Sequence, residues 1–422
     1  MSKEDVFQYK KDQLYCDGVR IERIVKQVGT PCYIYSYRCF TANLKRIQKA
    51  FRAVDPLVCF ALKANDNTAV IKSLVGQGAG CDIVSGGELK KALKVKADPA
   101  KIVFASVGKT DDEIRAALRA GILFFNVESL AELERIDQIA GKMRRKAPVA
   151  LRVNPDVAAA THERITTGTL KKKFGLDLAT AHKILRNQQG YPHITFRGIH
   201  MHIGSQITET APYVTSLQKM IRFLDQLTRE DIYLEYFDLG GGFGVPYEGK
   251  VSQIGTFARD LVPLLQETGM KIVMEPGRFI LANAGIFVTR TLFEKDNGIK
   301  HFVIVDGGMN DFARPSLYDA YHEIVPVRRQ KGMRRRKVDV VGPICESGDF
   351  FAKDRLLPPV GRGDLLAIKG AGAYGYVMAS NYNVRGRPAE VLVKGREFSV
   401  IRKRETFREL TRGEVVPDFI KD

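Results

Sequence analysis

The chain has 422 residues, 45% of them hydrophobic, which suits two domains with well-buried cores. Lys and Arg outnumber Asp and Glu by 66 to 48, a net charge of +18, yet no apolar stretch is long and uncharged enough to cross a bilayer, so no membrane partner is expected. Cys16, Cys32, Cys39, Cys59, Cys81 and Cys345 show neither metal-ligand spacing nor a disulfide framework, and Met1-Ser2-Lys3-Glu4-Asp5 lacks a secretory signal, so the expected location is a reducing cytoplasm.

Residues 1–36 include Ile21–Val28 and Pro31–Ser36 and read as an N-terminal segment packing with a later β domain. Thr41–Val54 is a helix. Apolar strands are then predicted at 57–63, 80–84, 101–106, 122–127, 148–154, 196–203, 235–240 and 271–275. Amphipathic helices fall between them: Thr68–Gln77, Gly86–Val95, Thr110–Ala120, Ser129–Ala140, Leu178–Arg186, Ala211–Leu227 and Ile254–Glu267. Thr110 before Asp111-Asp112-Glu113 and Ser129 before an Ala/Leu-rich run are helix caps. This alternation predicts an α/β fold, a (β/α)8 TIM-type barrel over residues 37–280, and fits an open doubly wound sheet less well. After Arg278 strand-like runs dominate, at 285–293, 300–305, 323–328, 337–341, 364–369 and 389–394, predicting a β-sandwich or β-barrel-like domain over 281–422.

The positive surplus is clustered at Lys142 to Lys146, Lys171-Lys172-Lys173, Arg328 to Lys337 and Arg402-Lys403-Arg404. No aromatic residues interleave with these runs and no nucleic-acid motif accompanies them, so a basic surface attracting anionic substrates is favoured over a nucleic-acid partner. The 328–337 run flanks Lys331-Gly332 and reads as a solvated hairpin tip.

In a parallel barrel, chemistry belongs at the C-terminal ends of the strands. Strand one ends in Lys63. Taken alone, that lysine is better read as a solvated strand end; a buried amine there is instead paired, lowered in pKa, or used covalently as a Schiff base. Strand two reads Cys81-Asp82-Ile83-Val84-Ser85 and strand five Leu151-Arg152-Val153-Asn154-Pro155. Strand six reads His200-Met201-His202-Ile203-Gly204-Ser205-Gln206, strand seven runs into Gly240-Gly241-Gly242-Phe243-Gly244, and strand eight into Glu275-Pro276-Gly277-Arg278. A triple glycine after strand seven suits a phosphate, because glycine lets backbone N–H groups close on an anion, and Arg278 adds a cation. His200 and His202 share one side of their strand and are read either as a metal pair or as an aromatic face for a planar cofactor. The metal reading lacks a nearby third histidine, and no metal is assigned. Lys63, the glycine cradle, a stacking histidine and a buried Glu275 together make sense as a site for pyridoxal 5′-phosphate (PLP), with the carboxylate opposite the ring nitrogen.

These motifs resemble the fold-type III PLP-dependent decarboxylases, which join a barrel like that of alanine racemase to a β domain. The segments 305–311, 314–322, 345–349 and 371–376 narrow the resemblance to the branch acting on meso-2,6-diaminopimelate. The resemblance implies decarboxylation at the D-centre to L-lysine and CO2, as the last step of lysine biosynthesis. It implies that Lys63 anchors the cofactor, His202 stacks on its ring and Glu275 pairs with the ring nitrogen. Ser205, Gly241, Gly242, Gly277, Arg278 and Tyr374 lie around the phosphate. Arg278, Arg314 and Tyr318 bind the distal carboxylate and Glu346 its ammonium, with Tyr374 at the substrate as well. Cys345 is the implied proton donor, and a homodimer with shared active sites is implied. Rivals are relatives acting on ornithine, lysine, arginine or carboxynorspermidine, and a metal-dependent barrel hydrolase. Departures from the family pattern are the loop Thr161-His162-Glu163-Arg164-Ile165-Thr166-Thr167-Gly168, Met201, Phe279 and the basic run at 328–337.

Overall fold

A computed structural model describes residues 6–157, 173–248, 251–329 and 332–420. The loop at 161–168, Lys171 and Lys172, and the tip residue Lys331 lie outside the described residues. The chain divides into two compact units: Phe40–Leu281, and Met1–Cys39 with Ala282–Asp422.

In the first unit eight parallel strands close a barrel: Leu57–Ala61, Gly80–Ile83, Ile102–Phe104, Phe124–Val127, Ala147–Arg152, Ile194–His200, Tyr236–Asp238 and Lys271–Met274. The last strand returns to the first, with Val273 opposite Leu57 and Met274 opposite Val58. All eight coincide with predicted strands, and all but Phe124–Val127 end earlier, because the chain turns into rim loops once ladder bonding stops. Five of the crossover helices begin at side-chain caps. Asn67, Ser85, Ser129 and Asp177 each accept a first-turn N–H, and Thr110 with Glu113 forms a full capping box. Each such cap stabilises its helix by about 1 kcal/mol.

Strand pleating decides what fills the barrel. An apolar layer holds Cys59, Val103, Phe124, Ala150 and Val273. Two residues further along several strands, the same inward face carries polar groups: Asn126 after Phe124, Arg152 after Ala150, Glu275 after Val273, and likewise His200, Asp238 and Asp82. All six are at most 7% exposed, so this is a buried ionisable layer directly beneath the C-terminal rim.

The second unit is mostly sheet. A path of strands runs Phe350–Leu357, Arg336–Val341, His301–Val305, Gly285–Asp296, Cys32–Ser36, Ala389–Lys394, Glu397–Arg402. Leu365–Lys369 also pairs with Gly285–Asp296, and Ile324–Pro326 pairs with Leu365–Lys369. Cys32–Ser36 is buried throughout; Tyr33 and Tyr35 enter one apolar cluster and Cys32 and Ile34 the other. A three-stranded sheet (Phe7–Lys10, Gln13–Cys16, Val19–Arg20) and the helix Ile21–Val28 belong to the same unit.

The hairpin expected at 328–337 is corrected. Its arms do not pair: Ile324–Pro326 joins Leu365–Lys369, whereas Arg336–Val341 joins His301–Val305 and Phe350–Leu357. The basic run therefore connects strands in different parts of the sheet. Phe350–Leu357 and Glu397–Arg402 were not predicted. Both lie at ends of the strand path and carry charged residues on exposed positions, which removes the apolar alternation.

One clamp in this unit supports a loop used below. Glu405 accepts from Arg387 Nε at 2.8 Å, from the Arg387 backbone N–H at 2.9 Å and from Asn381 at 2.7 Å. The bond to the Arg387 guanidinium is the main cause holding its carboxyl down to about 2. An ordinary unfolded glutamate titrates near ~4.3. The clamp's contribution is therefore present above that value and lost as pH falls through about 2. Glu405→Gln should lower the thermal unfolding midpoint at pH 7, with the deficit narrowing as pH drops below ~4.3; a deficit constant with pH would contradict this.

Candidate active site

Lys63 lies in the short turn Leu62–Ala64 directly after the first barrel strand. Its Nζ sits 2.5 Å from Asp82 Oδ2, and Asp82 is fully buried on the second strand. The Lys63 side chain is half-buried, and its amine is paired. Burial is the largest influence on the Asp82 carboxyl; together with Glu275 it pushes the group up to about 8, and Lys63 opposes them.

Glu275 follows the eighth strand and is 4% exposed. Asn126 Nδ2 donates to Glu275 Oε1 at 3.0 Å and to Asp238 Oδ2 at 3.3 Å. His200 Nε2 lies 3.4 Å from Glu275 Oε2. Burial pushes the Glu275 carboxyl up, but His200 and Lys63 outweigh it and hold it below the usual carboxylate range. Burial and the Glu275 charge push Asp238 well above its ordinary value. Of the two neighbouring carboxyls, Glu275 is thus the one that gives up its proton more readily and Asp238 the one that keeps it. His200, Asp238 and Glu275 offer ligand atoms within 4.8 Å of one another, in principle a metal trio. Two of the three, Asp238 and Glu275, share the Asn126 side-chain donor.

His202 is half-buried, and its Nδ1 accepts the Gly241 N–H at 3.2 Å. Burial, then Arg152 and Lys63, push its pKa well down. The ring is therefore neutral with its proton on Nε2. The Gly241 bond lies in the ring plane, which leaves a ring face for stacking. Arg152 is anchored by Glu128 at 2.9 Å, both side chains being buried.

The glycine rim is set by close approach. At Gly242 φ is +105° and a Cβ would sit 2.3 Å from the Gly204 carbonyl oxygen; at Gly241 it would sit 2.1 Å from that of Glu275. Tyr213 fixes this loop from behind, donating to Gly241 O at 2.6 Å and stacking on Phe243 at 5.3 Å. Arg278 is 5% exposed and reaches Ser205 Oγ at 2.9 Å and Tyr247 Oη at 3.1 Å. The rim thus offers an amine, a protein-held anion, a neutral aromatic face, and a glycine cradle beside a guanidinium. That donor set fits PLP: Lys63 for its aldehyde, Glu275 for its ring nitrogen, His202 for its face, and Gly241, Gly242, Ser205, Gly277 and Arg278 for its phosphate. Gly242→Ala should weaken cofactor binding and the apo fold together by roughly 1–3 kcal/mol, read by titration and thermal unfolding; parental values in both would contradict the cradle.

The other residues singled out in the sequence lie in the sheet unit. Arg314 is buried at the start of the helix Arg314–Tyr318, with its guanidinium 5.8 Å from the Tyr318 ring centroid. Cys345 and Glu346 are exposed in the loop after Arg336–Val341. The Cys345 N–H donates to Asn383 Oδ1 at 3.0 Å, and Glu346 Oε1 accepts the Gly348 N–H at 3.2 Å. Asn383 belongs to the segment that the Glu405 clamp restrains. Tyr374 adopts φ +55° in the turn after Leu365–Lys369.

Asp82, Asn126, Arg152 and Asp238 were given no role by sequence reasoning. Each is a single polar residue in a short apolar strand. The available signal was their spacing, two residues beyond an inward-facing apolar or small position.

A closed barrel with an amine, a buried carboxylate and a phosphate cradle on one rim defines a PLP-dependent enzyme of the fold-type III class. The family described as pyridoxal-dependent decarboxylase, pyridoxal binding domain, matches residues 38–282, and the chain belongs to it. A diaminopimelate decarboxylase of Pseudomonas aeruginosa is 45% identical over 411 residues, covering 97% of this chain and 99% of the relative. One of Aquifex aeolicus is 46% identical, covering 95% of each. The crystal structure of diaminopimelate decarboxylase from M. jannaschii in complex with L-lysine superposes with a TM-score of 0.95 at 35% identity and covers 100% of both chains. Within the decarboxylases, the chain therefore belongs to the diaminopimelate decarboxylase family.

Proposed function

We infer that the protein is a carboxy-lyase that decarboxylates meso-2,6-diaminopimelate at its D-centre, giving L-lysine and CO2, with PLP as cofactor. The observation that carries the substrate choice is the buried Arg314, 5% exposed. A buried guanidinium is a carboxylate receptor, and a diamine-forming enzyme has no distal carboxylate for it to bind. The near full-length relatives bearing that activity support the same choice.

When bound, PLP supplies the electron sink for the pair left behind by CO2. The residues do the rest. Lys63 would hold the cofactor through its amine, with Asp82 beside it to take up or release that amine's proton. Glu275 would pair with the ring nitrogen, and His202 would cover the ring face. Arg278, Arg314 and Tyr318 bind the distal carboxylate, Glu346 binds the distal ammonium, and Tyr374 assists at phosphate and substrate. As the bond to the carboxylate carbon breaks and CO2 departs, the Cys345 thiol gives its proton to the reacting carbon and is reprotonated from solvent. A homodimer with shared sites is part of this proposal, supported by the family resemblance. A cytoplasmic location is supported by the biosynthetic role; among the described residues, no helix is long and apolar enough to cross a membrane. The basic clusters serve as a general anionic attraction, and nucleic acid is not proposed as a partner.

The test is CO2 release from meso-diaminopimelate, ornithine, lysine and arginine. Release from the first alone is expected; preference for ornithine or lysine would overturn the substrate assignment.

A further inference from the structure

We propose that His322 is a positioning residue: it sets the plane of the Arg314 guanidinium and thereby the selectivity for a substrate with a distal carboxylate. This rests on the reading of Arg314 given above.

His322 is fully buried, and both ring nitrogens are engaged. Nδ1 lies 2.8 Å from the Lys369 carbonyl oxygen, and Nε2 lies 3.2 Å from Arg314 Nε. A carbonyl only accepts, so Nδ1 carries the hydrogen. A guanidinium only donates, so Nε2 presents its lone pair. The two neighbours dictate one neutral tautomer with its acceptor aimed at Arg314.

The ring is mounted rigidly. The Phe312 ring meets it edge-on, with centroids 4.7 Å apart and planes at 73°. The His322 carbonyl accepts from Arg355 Nη1 at 2.7 Å, and the Lys369 N–H donates to the neighbouring Glu323 carbonyl at 2.8 Å. Lys369 ends the strand Leu365–Lys369, which pairs on both sides, with Gly285–Asp296 and with Ile324–Pro326. After the helix Arg314–Tyr318 the chain reverses at Asp319, whose φ is +50°, and this brings His322 back against Arg314. A carboxylate is held best by a guanidinium whose plane is already fixed, because the paired N–H bonds must be coplanar with it. Arginine alone, with its flexible stem, does not meet that condition. His322 does so through Nε.

The test uses the holoenzyme with His322→Asn and His322→Gln. Asparagine can reproduce the Nδ1–H bond to Lys369 but is too short to reach Arg314; glutamine can place an acceptor where Nε2 lies. For His322→Asn, KM for meso-diaminopimelate should rise about tenfold or more with kcat within about threefold. Calorimetric affinity for L-lysine, which retains the distal carboxylate, should fall in parallel, and that for cadaverine, which lacks it, should be unchanged. His322→Gln should stay within about threefold of the parent throughout. Unchanged L-lysine affinity in a folded His322→Asn, equal losses for L-lysine and cadaverine, or a tenfold KM rise in a folded His322→Gln would each overturn the proposal. If His322→Asn does not fold, the glutamine variant decides. Arg314→Ala separates the two levels. If it leaves KM unchanged, the carboxylate reading falls; if it raises KM while His322→Asn does not, only the role of His322 falls.

Discussion

Lys63→Ala is expected to abolish covalent attachment of the cofactor and to lower kcat for meso-diaminopimelate by about 10⁴-fold or more. Among the described residues, the lysine that stands on the rim paired with Asp82 and within the influence of Glu275 and His202 is Lys63. The fold should survive. Removing one partner of a buried ion pair ordinarily costs ~3–5 kcal/mol, because the other charge is stranded. Here the stranded group is Asp82, which burial and Glu275 push up to about 8 against the pull of Lys63. Without Lys63 that opposition is gone, so Asp82 holds its proton to still higher pH and stays buried as an acid. The sign follows from a folded pKa raised above the unfolded ~3.9: the contribution is full at low pH and fades as pH rises through the folded value. Lys63→Ala should therefore unfold near the parent's midpoint at pH 6 and fall behind it as pH is raised through 9. A variant retaining full turnover would end the account, and one equally destabilised at all pH values would refute the role given to Asp82.

The second large effect is expected for Glu275→Gln, with kcat lowered about 10²–10³-fold and KM changed far less. The amide keeps the shape and the packing but removes the anion that holds the ring nitrogen protonated. The neighbouring acid limits the loss. After burial, the Glu275 charge is the main influence that pushes the Asp238 carboxyl up. With Glu275 neutral, Asp238 ionises more readily and restores part of the negative charge through Asn126, which donates to both groups. Glu275→Gln combined with Asp238→Asn should therefore fall clearly below Glu275→Gln alone in single-turnover rate. A kcat within threefold of the parent in Glu275→Gln would show that the carboxylate does not serve the ring nitrogen.

Much of the site was legible because its residues stand where strands end. Lys63 closes an apolar run, Glu275 opens Glu-Pro-Gly-Arg, and the three glycines from Gly240 break a strand pattern with residues that only close backbone approach explains. The barrel was legible for a related reason: buried parallel strands read as short apolar runs between capped helices. The supporting layer was not. Asp82, Asn126, Arg152 and Asp238 are single letters inside such runs, and only closure of the barrel shows that they share one interior with Glu275. In the sheet unit the edge strands Phe350–Leu357 and Glu397–Arg402 escaped because exposed charged residues mask their alternation. Two basic arms around Lys331-Gly332 suggested a local hairpin, where the chain instead connects strands with different partners. His322 stands at the end of the segment 314–322; its link to Arg314, eight residues earlier, depends on a reversal at Asp319 that no local pattern announces.

The account turns on one amine. Reducing the holoenzyme with borohydride fixes the cofactor to whichever lysine holds it, and peptide mass spectrometry then locates the pyridoxyl phosphate. The account predicts a single modified peptide carrying the group on Lys63. Modification of a different lysine, or a holoenzyme that decarboxylates meso-diaminopimelate with Lys63 unmodified, would contradict it.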